Sequence, residues 1–409
     1  MNPRIVANQQ RHFVGFLAAL RPHVRRDTAL PRRIKEMLAG QRALGSRDRR
    51  LYRELIFTAL RYWTWVEPRL DTAPDTAAKL VAWLAADLKD THDFRAALCA
   101  DWPAVPPGVA ARAELLRGLV GPADLDPSAL LPAFFRSHCP AAFEAPNLDA
   151  LLTRAPLWTR LQVEDRSLVL DEFRSRGWTW QEVPGVPDAL RLTPNADVGG
   201  TDAYRRGFVE IQDLGSQLIL SHPPIRPGEH WLDACAGAGG KTLQLARRVG
   251  EAGRVDATDI RPEALEELRE RGRRARLANV HVVAQPREAY DGVLVDAPCS
   301  GSGTWRRAPH LKWTSTTEGI ERHAALQAQL LRENAGRVRP GGLLVYATCS
   351  LSSRENQEVV AAFLAATGDF SAEPPARDWG GARDAVGTTL LPATRDTDGF
   401  YVAVLRRRG

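Results

Sequence analysis

The sequence predicts an α/β protein in which a doubly wound sheet follows an all-helical domain and a small α+β module. Three observations support this fold class. Apolar residues recur at helical spacing up to about residue 100. Short apolar runs surround one helix-like stretch between residues 140 and 205. From about residue 208, strand-like and helix-like stretches alternate regularly, which is typical of βαβ units in a parallel sheet.

The first part of the chain has the apolar pattern of amphipathic helices. It is clearest in the stretches DRRLYRELIFTALRYWTWV and AAKLVAWLAADL, where apolar residues return every three or four positions. Two proline-rich breaks, DWPAVPPGV and GPADLDPSALLP, then separate shorter helices. We therefore predict a helical domain over residues 1–135.

The composition changes after this domain. Residues 140–205 contain the strand-like runs PLWTRLQV, WTWQEV and ALRLT and the helix-like SLVLDEFRSRG, which together predict a small α+β module. Residues 206–409 form the predicted α/β domain. Its strands and helices are expected in the order HWLDACAG, TLQLARRVG, RVDATDI, EALEELRERGRRARL, VHVVA, DGVLVDAP, a long helix over 318–336, GGLLVYAT, ENQEVVAAFLAA and GFYVAVLRR.

The composition indicates a soluble, reduced, multidomain protein. The 409 residues are 44% hydrophobic, which is enough for two or three domains with cores of their own. The five cysteines form no Cys-x-x-Cys pair, so neither a disulfide framework nor a zinc site is indicated. The N-terminal stretch lacks the apolar core of a signal peptide, and no run is long enough for a membrane span. We expect a cytoplasmic monomer without a metal or a membrane partner.

Positive charge is concentrated at the N-terminus. The net charge is +6, yet residues 1–50 alone contain twelve Lys and Arg against three Asp and Glu. Such an excess attracts polyanions, of which nucleic acid is the usual one. The alternative is the solvated face of arginine-rich helices.

A glycine-rich turn is expected where the first strand of the α/β domain ends. In the run DACAGAGGKT, residues 233–242, three glycines precede a predicted helix. Glycines there let the backbone approach a ligand, and the helix N-terminus orients amide groups toward it. The turn lacks the spacing of a phosphate loop. It resembles the turn of S-adenosylmethionine-dependent methyltransferases, although packing alone also produces such turns.

The second strand ends at an acidic residue, Asp259, about twenty residues after the glycines. A carboxylate at this point is placed to accept hydrogen bonds from both ribose hydroxyls of an adenosine. The alternative is that Asp259 caps the N-terminus of the helix RPEALEEL. Both interpretations stay open on the sequence alone.

Two cysteines follow two predicted strands. Cys299 lies in DAPCSGSGTW and Cys349 in YATCSLSS, each just beyond the carboxyl end of an apolar run. Ligands of doubly wound sheets bind at such ends, so neighbouring strands would bring both thiols to one bound group. A buried structural cysteine, the alternative for either thiol alone, is expected within a strand and not in a polar turn.

Two thiols beside a methyl donor suit methylation of cytosine at C5. That carbon is too weakly nucleophilic to take a methyl group directly, but thiolate addition at C6 makes it enamine-like. The C5 proton must then leave and the thiolate be eliminated, which gives a second thiol a task. Because a free thiol is mostly protonated at neutral pH, a cation should lie nearby. The candidates are Lys241, Arg306, Arg307 and Lys312.

With these motifs the sequence resembles the RsmB/Sun/Nop family of RNA cytosine-5 methyltransferases. The family's two cysteine motifs match DAPCS and ATCS, and FVEIQDLGSQL, RRAPHLKW and TDGFYVAVLRR follow its order. The resemblance implies a Rossmann-like domain that binds S-adenosyl-L-methionine. It also implies a NusB-like helical domain in front, as in the bacterial 16S ribosomal RNA members, and RNA as the partner, with the target cytosine flipped into the α/β cleft.

The resemblance also implies a role for individual residues. Cys349 would be the covalent nucleophile and Cys299 would assist release. Asp296 would contact the base around N3 and its amino group, and Lys241 would lie near the target. The implied donor pocket consists of Cys235, Ala236, Gly237, Ala238, Gly239, Gly240, Lys241, Asp259 and Asp296.

Several positions depart from the family pattern. Ala238 replaces the usual proline, so we expect a less restrained turn, and Gln285 stands where an acid usually follows the third strand. Ala308 and His310 replace the usual histidine and aspartate, and we interpret His310 as a surface-loop residue. These departures leave open a ribosome-assembly factor that binds RNA and holds the donor weakly. A transfer RNA substrate is a further alternative.

Overall fold

A computed structural model describes residues 2–121 and 125–409, and these form two compact units. The first comprises the residues up to Arg154 together with Thr304–Thr317, and the second comprises Ala155–Gly303 and Glu318–Gly409. Part of the predicted break GPADLDPSALLP, residues 122–124, lies outside the described residues. The division into domains at 1–135, 140–205 and 206–409 stays a prediction.

The first unit is helical. Its helix α3 shows why these stretches fold so: the buried Leu51, Leu55, Ile56 and Ala59 recur at spacings of three and four, which places them on one apolar face. The helices up to Arg154 are α1 (Pro3–Leu20), α2 (Leu30–Gly40), α3 (Ser46–Arg61), α4 (Trp63–Val66), α5 (Arg69–Thr72), α6 (Pro74–Leu84), α7 (His92–Leu98), α8 (Val109–Val120) and α9 (Asn147–Leu151).

The second unit begins with a four-stranded antiparallel sheet. The strand order is β2-β3-β1-β4, and the helix α10 lies between β1 and β2 in the chain. The elements are β1 (Leu157–Leu161), α10 (Ser167–Ser175), β2 (Trp180–Val183), β3 (Val186–Leu192), α11 (Asp202–Arg205), β4 (Val209–Ile211) and α12 (Leu214–Ile219).

A nine-stranded sheet forms the rest of the second unit. Its order is β11-β12-β13-β9-β8-β5-β6-β7, and β10 pairs with β13. The elements in this part of the chain are β5 (His230–Asp233), α13 (Gly240–Val249), β6 (Arg254–Ala257), α14 (Pro262–Arg274), β7 (Val280–Val282), β8 (Tyr290–Asp296), α15 (His310–Thr314, which belongs to the first unit), α16 (Thr317–Ala335), β9 (Val338–Thr348), α17 (Gln357–Ala366), β10 (Phe370–Glu373), β11 (Ala382–Arg383), β12 (Thr388–Leu390), α18 (Pro392–Arg395) and β13 (Phe400–Arg407).

The middle strands of this sheet are parallel and buried on both faces. Neighbouring residues of β8 enter different cores: Val293 and Val295 pack in one cluster and Leu294 in the other. The wholly parallel sheet that the sequence predicts is wrong at one side, because β13 runs antiparallel to β9. β12 and β13 are joined by a short connection through α18, and such a connection suits antiparallel strands. The other edge of β13 pairs with β9.

The segment Thr304–Thr317, which contains α15, lies in the helical unit. Trp305 packs on Phe135 with ring centroids 4.6 Å apart. The Lys312 Nζ donates to the carbonyl oxygens of Arg61 and Leu130 at 2.8 and 2.9 Å. Since α3 ends at Arg61, Lys312 pairs a carbonyl that the helix itself leaves without a partner.

The expectation of a surface-loop histidine at position 310 is wrong. His310 is 5% exposed and begins α15. Burial lowers its pKa to about 4, and its Nδ1 has no hydrogen-bond partner among the described residues. His310 is therefore a neutral residue of the helical unit's interior.

No helix in the described part of the chain is long and apolar enough to cross a membrane.

Candidate functional site

The two cysteines meet at the carboxyl ends of neighbouring strands. β8 and β9 are parallel and adjacent, with Asp296 opposite Ala347, so the condition for bringing both thiols together is met. The Sγ atoms of Cys299 and Cys349 lie 3.4 Å apart, a hydrogen-bond distance for sulfur. Both residues are partly exposed at this edge of the sheet.

The glycine-rich turn connects β5 to α13. Gly237 and Gly239 have φ values of 53° and 89°, in the left-handed region that glycine favours. A Cβ on Gly239 would lie 2.2 Å from Leu268 Cδ1, so only glycine fits there. This contact supports the packing interpretation for Gly239. The turn also leaves α13 beginning at Gly240, with its first amide groups directed out of the helix.

Hydrogen bonds hold the turn despite the absence of the proline that Ala238 replaces. The Gly237 amide donates to Asp259 Oδ2 at 2.8 Å. The Arg271 guanidinium donates to the Ala238 carbonyl at 2.6 Å and to Glu210 at 2.8 Å. The turn is thus fixed from both sides by charged side chains, which the sequence pattern did not reveal.

Asp259 lies at the end of β6 and is not the N-cap residue of α14, a position that Arg261 occupies. Its carboxylate accepts from the Arg261 backbone amide at 2.9 Å and from the Arg261 guanidinium at 3.0 Å. Burial opposes ionisation of Asp259, but the hydrogen bonds from Arg261 and Gly237 outweigh burial and lower its pKa. Asp259 is therefore an ionised acceptor beside the turn.

Asp296 and Lys241 form an ion pair between the turn and the cysteines. Lys241 Nζ lies 2.7 Å from Asp296 Oδ2 and 5.6 Å from the centroid of the Phe400 ring. The Lys241 side chain is 9% exposed, whereas that of Asp296 is 28% exposed. The carboxylate of Asp296 is thus the more exposed member of the ion pair, and the ammonium group of Lys241 is the more buried one.

The sequence analysis did not single out Asp233, the last residue of β5. Its Oδ2 accepts from Thr242 Oγ1 at 2.7 Å, while its buried Oδ1 has no partner among the described residues. Burial raises the pKa of Asp233 to about 7, and the neighbouring Asp296 adds to the shift. Asp233 could have been found from the sequence, because it is an acidic residue at the end of an apolar strand.

A second residue missed by sequence reasoning is Glu355. It is fully buried and accepts hydrogen bonds from the residues that follow the two cysteines. The hydrogen bond with Cys349, burial and the charge of Glu355 together raise the pKa of the Cys299 thiol. Burial likewise raises the pKa of Cys235 in the turn. The thiols of Cys299 and Cys235 are therefore protonated at neutral pH.

Other candidates do not join this group. Lys312 makes its hydrogen bonds within the helical unit, and burial lowers its pKa. Arg306 is 1% exposed and donates to the Arg154 carbonyl in the same unit. Gln285 is exposed in the loop after β7. Among the cations considered for thiolate formation, Lys241 pairs with a candidate site residue, Asp296.

The N-terminal basic residues are partly neutralised. Six of the twelve pair with carboxylates in the helical unit, at distances of 2.7 to 2.9 Å. The six are Arg21, Arg25, Arg32, Arg33, Arg47 and Arg50. These ion pairs reduce the net field of this region, so the solvated-face interpretation accounts for part of the charge.

The comparisons with known proteins agree with this geometry. A family model described as 16S rRNA methyltransferase RsmB/F matches residues 222–406. The chain is 35% identical over 268 residues to ribosomal RNA small subunit methyltransferase B of Vibrio vulnificus, which covers 63% of this chain and 61% of that protein. It thus spans about three fifths of the length of the curated relatives that it matches.

Solved structures confirm the predicted fold class. A protein named PH0851 superposes with a TM-score of 0.71 at 20% identity and covers 91% of this chain and 93% of its own. A methyltransferase homologue from Pyrococcus horikoshii superposes with a TM-score of 0.55 at 25% identity, covering 64% of this chain and 89% of its own. The nine-stranded part of the second unit therefore has the Rossmann-like fold of methyltransferases, and a helical region precedes the second unit in the chain. The likeness of that region to NusB stays a prediction.

The matched residues include both cysteine loops, Asp296, the glycine-rich turn and Asp259, and over this range the chain is similar to the family of 16S rRNA methyltransferases RsmB/F.

Proposed function

We propose that this chain transfers a methyl group from S-adenosyl-L-methionine to C5 of a cytosine in RNA through a covalent bond between Cys349 and C6. The observation that carries the proposal is the 3.4 Å separation of the Cys299 and Cys349 sulfurs at the ends of neighbouring parallel strands. The matched relatives are named as ribosomal RNA small subunit methyltransferases, which supports 16S rRNA as the substrate.

The residues at the first two strand ends fit the methyl donor. The turn offers backbone amide groups, Asp259 offers an ionised acceptor, and Asp233 has a buried oxygen without a partner among the described residues. Unpaired buried acceptors and carboxylates suit a ligand that carries positive charge and hydroxyl groups. Residues 235–241, Asp259 and Asp296 would hold it. When bound, the donor supplies an activated methyl group.

Asp296 and Lys241 would orient the target base. The partly exposed carboxylate of Asp296 can accept a hydrogen bond from the cytosine amino group, and the resemblance to the family implies a contact around N3 as well. Lys241 holds that carboxylate at 2.7 Å and keeps positive charge close to a ring that gains electrons when a thiolate adds. This pair would therefore favour addition at C6.

Cys349 would make the attack. Its thiolate forms the S–C6 bond, and the electrons of the C5–C6 double bond make C5 nucleophilic toward the methyl group. A thiol of Cys299 can donate a hydrogen bond to that thiolate across 3.4 Å. The hydrogen bond with Cys349 and burial raise the pKa of Cys299, which favours Cys299 as the donor in this pair, and the resemblance to the family assigns the attack to Cys349.

Release would reverse the protonation of Cys299. Once Cys349 is a neutral thioether, it no longer raises the pKa of Cys299 through its hydrogen bond and its charge, so Cys299 can release its proton to water. Its thiolate can then accept the C5 proton. The electrons of the C5–H bond restore the C5–C6 double bond, and the C6–S bond breaks to return Cys349 as a thiolate.

A donor-deficient RNA-binding factor is a second candidate function. The observation in its favour is the loop after β7, where Gln285 is exposed and no acid takes the position expected beside an adenine. Such a protein would bind RNA and leave it unmodified. It would also tolerate loss of either thiol.

The test uses the purified chain, labelled methyl donor and undermodified 16S rRNA. We expect the wild type to incorporate label into 5-methylcytosine. Cys349→Ala should neither incorporate label nor form a covalent complex, whereas Cys299→Ala should accumulate protein linked to RNA. Absence of incorporation by a wild type that binds the donor would overturn the proposed activity. A covalent complex with Cys349→Ala would reverse the two roles.

A further inference from the structure

The buried carboxylate of Glu355 accepts hydrogen bonds from both cysteine loops. Glu355 is the last residue of the 3-10 turn Ser353–Glu355, which follows β9, and it has no exposed surface. An ionised carboxylate loses favourable hydration on burial, so its position in a core requires several hydrogen-bond donors. In the proposed chemistry the charge of Glu355 only adds to the raised pKa of Cys299.

Four hydrogen bonds from described residues reach the carboxylate of Glu355, all of them from neutral donors. Its Oε1 accepts from the Ser300 amide at 2.8 Å and from Gln327 Nε2 at 3.1 Å. Its Oε2 accepts from the Ser300 and Ser350 hydroxyls at 2.5 and 2.6 Å. Ser300 follows Cys299 and Ser350 follows Cys349, so one carboxylate fixes the residue next to each thiol.

The attachment is stronger on the Cys299 side. Ser300 gives Glu355 two of the four hydrogen bonds. Gln327 donates both to Glu355 and to the Pro298 carbonyl at 2.9 Å, which holds the residue before Cys299. The residues on either side of Cys299 are thus fixed by Glu355 and its partner Gln327.

The Cys349 loop has a different main anchor. The next residue, Asn356, accepts from Thr348 Oγ1 at 2.6 Å and donates to the Ser350 carbonyl at 2.9 Å. The Gly303 amide also donates to the Cys349 carbonyl at 2.9 Å. Removing the Glu355 side chain therefore leaves in place the contacts that hold Cys349 and the residues on either side of it.

We infer that Glu355 is the positioning residue for Cys299 and that Asn356 is the positioning residue for Cys349. Loss of Glu355 then impairs release of the methylated base, and loss of Asn356 impairs formation of the covalent bond. This inference rests on the proposed function. It assigns two consecutive residues to opposite halves of one catalytic cycle.

The side chain at position 355 can be altered without emptying the site. In Glu355→Gln, the amide oxygen can take the place of Oε1 and accept from the two N–H donors, while the NH2 group faces two hydroxyls that can accept. Glu355→Ala removes all four hydrogen bonds. Glu358→Ala is the matched control, because Glu358 lies in the same segment with its side chain 50% exposed.

The experiment follows covalent RNA–protein complex and methylated product in single turnovers with 16S rRNA and the methyl donor. Glu355→Ala should form the complex and release it more slowly by on the order of 10- to 100-fold, the usual cost of a small misplacement. Glu355→Gln should restore most of the release rate. Asn356→Ala should slow formation of the complex instead, and Glu358→Ala should match the wild type in both steps.

A purely structural role would slow formation and release together in Glu355→Ala, or neither, and either result overturns the inference. If Glu355→Ala does not fold, as judged from its thermal unfolding, Ser300→Ala takes its place and should also accumulate the complex. Normal release by Ser300→Ala would then contradict the inference. Cys299→Ala serves as the reference: if it traps no complex, the proposed function fails first.

Discussion

The two ends of the site hold negative charge in opposite ways. At the donor end, Asp259 and Asp296 each have a cation, Arg261 at 3.0 Å and Lys241 at 2.7 Å. At the thiol end, Glu355 is buried among neutral donors, close enough to raise the pKa of Cys299. The hydrogen bonds at the donor end lower the pKa of Asp259, whereas the surroundings at the thiol end raise the pKa of Cys299.

This difference separates binding from proton transfer. Cation-paired carboxylates stay charged through the physiological pH range and can hold a ligand without titrating. A thiol whose pKa depends on its neighbour's charge changes protonation when that neighbour forms a bond. Substitutions at one end should therefore leave the other end unchanged. Asp233 is the exception at the donor end, because burial raises its pKa.

The largest effect is expected from removing the cation at the donor end. Lys241→Ala leaves Asp296 without its partner and near Asp233, so the base loses a fixed ion pair. We expect the rate of covalent complex formation to fall by on the order of 100-fold, as for loss of an electrostatic group that meets developing charge. Rapid-quench assays of the complex measure it, and an unchanged rate would remove Lys241 from the site.

The unpaired acid should make the stability of the protein depend on pH. Asp233 holds its proton more tightly when folded, with a pKa of about 7, than at its ordinary value of 3.8. Its contribution is therefore fully present below pH 4 and is lost as the pH rises to 7. Asp233→Asn cannot ionise, and should be more stable than the wild type at pH 8 by on the order of a few kcal/mol.

Urea unfolding of the ligand-free protein at pH 4.5 and pH 8 tests the Asp233 prediction. The two proteins should differ least at the lower pH, where the wild-type acid is protonated when folded. Equal free-energy differences at both pH values would show that Asp233 does not titrate in this range. For each of the two proteins, the pH is the only variable that changes between the two measurements.

A smaller effect on stability is expected in the helical unit. Lys312→Met keeps the length of the side chain but removes hydrogen bonds to the Arg61 and Leu130 carbonyls. Unfolding should cost about 1–3 kcal/mol less, as for buried acceptors left without a donor. Rates of complex formation and release should not change, because Lys312 pairs within the helical unit. A change in those rates would return Lys312 to the candidates for thiolate activation.

The smallest effect is expected from the exposed cation of the donor end. Arg261 is 59% exposed in its side chain, so solvent screens its attraction for Asp259. Arg261→Ala should raise the pKa of Asp259 toward its ordinary value and weaken donor binding by only a few-fold, equivalent to about 1 kcal/mol. Isothermal titration with the methyl donor measures this, and a loss above 100-fold would assign Arg261 a direct contact.

Sequence reasoning predicted the parts of the site that follow strand ends. The proximity of Cys299 and Cys349 required only that β8 and β9 be neighbours, and the pattern of βαβ units made this the simplest arrangement. Asp259 could be placed by the same rule. Local patterns sufficed because the carboxyl ends of parallel strands converge at one edge of the sheet.

Residues that depend on distant contacts were missed or wrongly interpreted. Glu355 lies in the polar run SSRENQE, which looks solvent-exposed until the two cysteine loops close over it. His310 and Lys312 also lie in a polar stretch, yet both are buried because the segment packs into the helical unit. The antiparallel β13 was missed because apolar alternation carries no information about strand direction.

The central claim is that two thiols 3.4 Å apart have different tasks, attack by Cys349 and release by Cys299. Its most direct test is to trap Cys299→Ala on 16S rRNA with the methyl donor, digest the complex and identify the linked peptide by mass spectrometry. The account predicts a methylated nucleotide joined to Cys349. A nucleotide joined to any other residue, or no linked peptide from a folded variant that binds RNA, would contradict it.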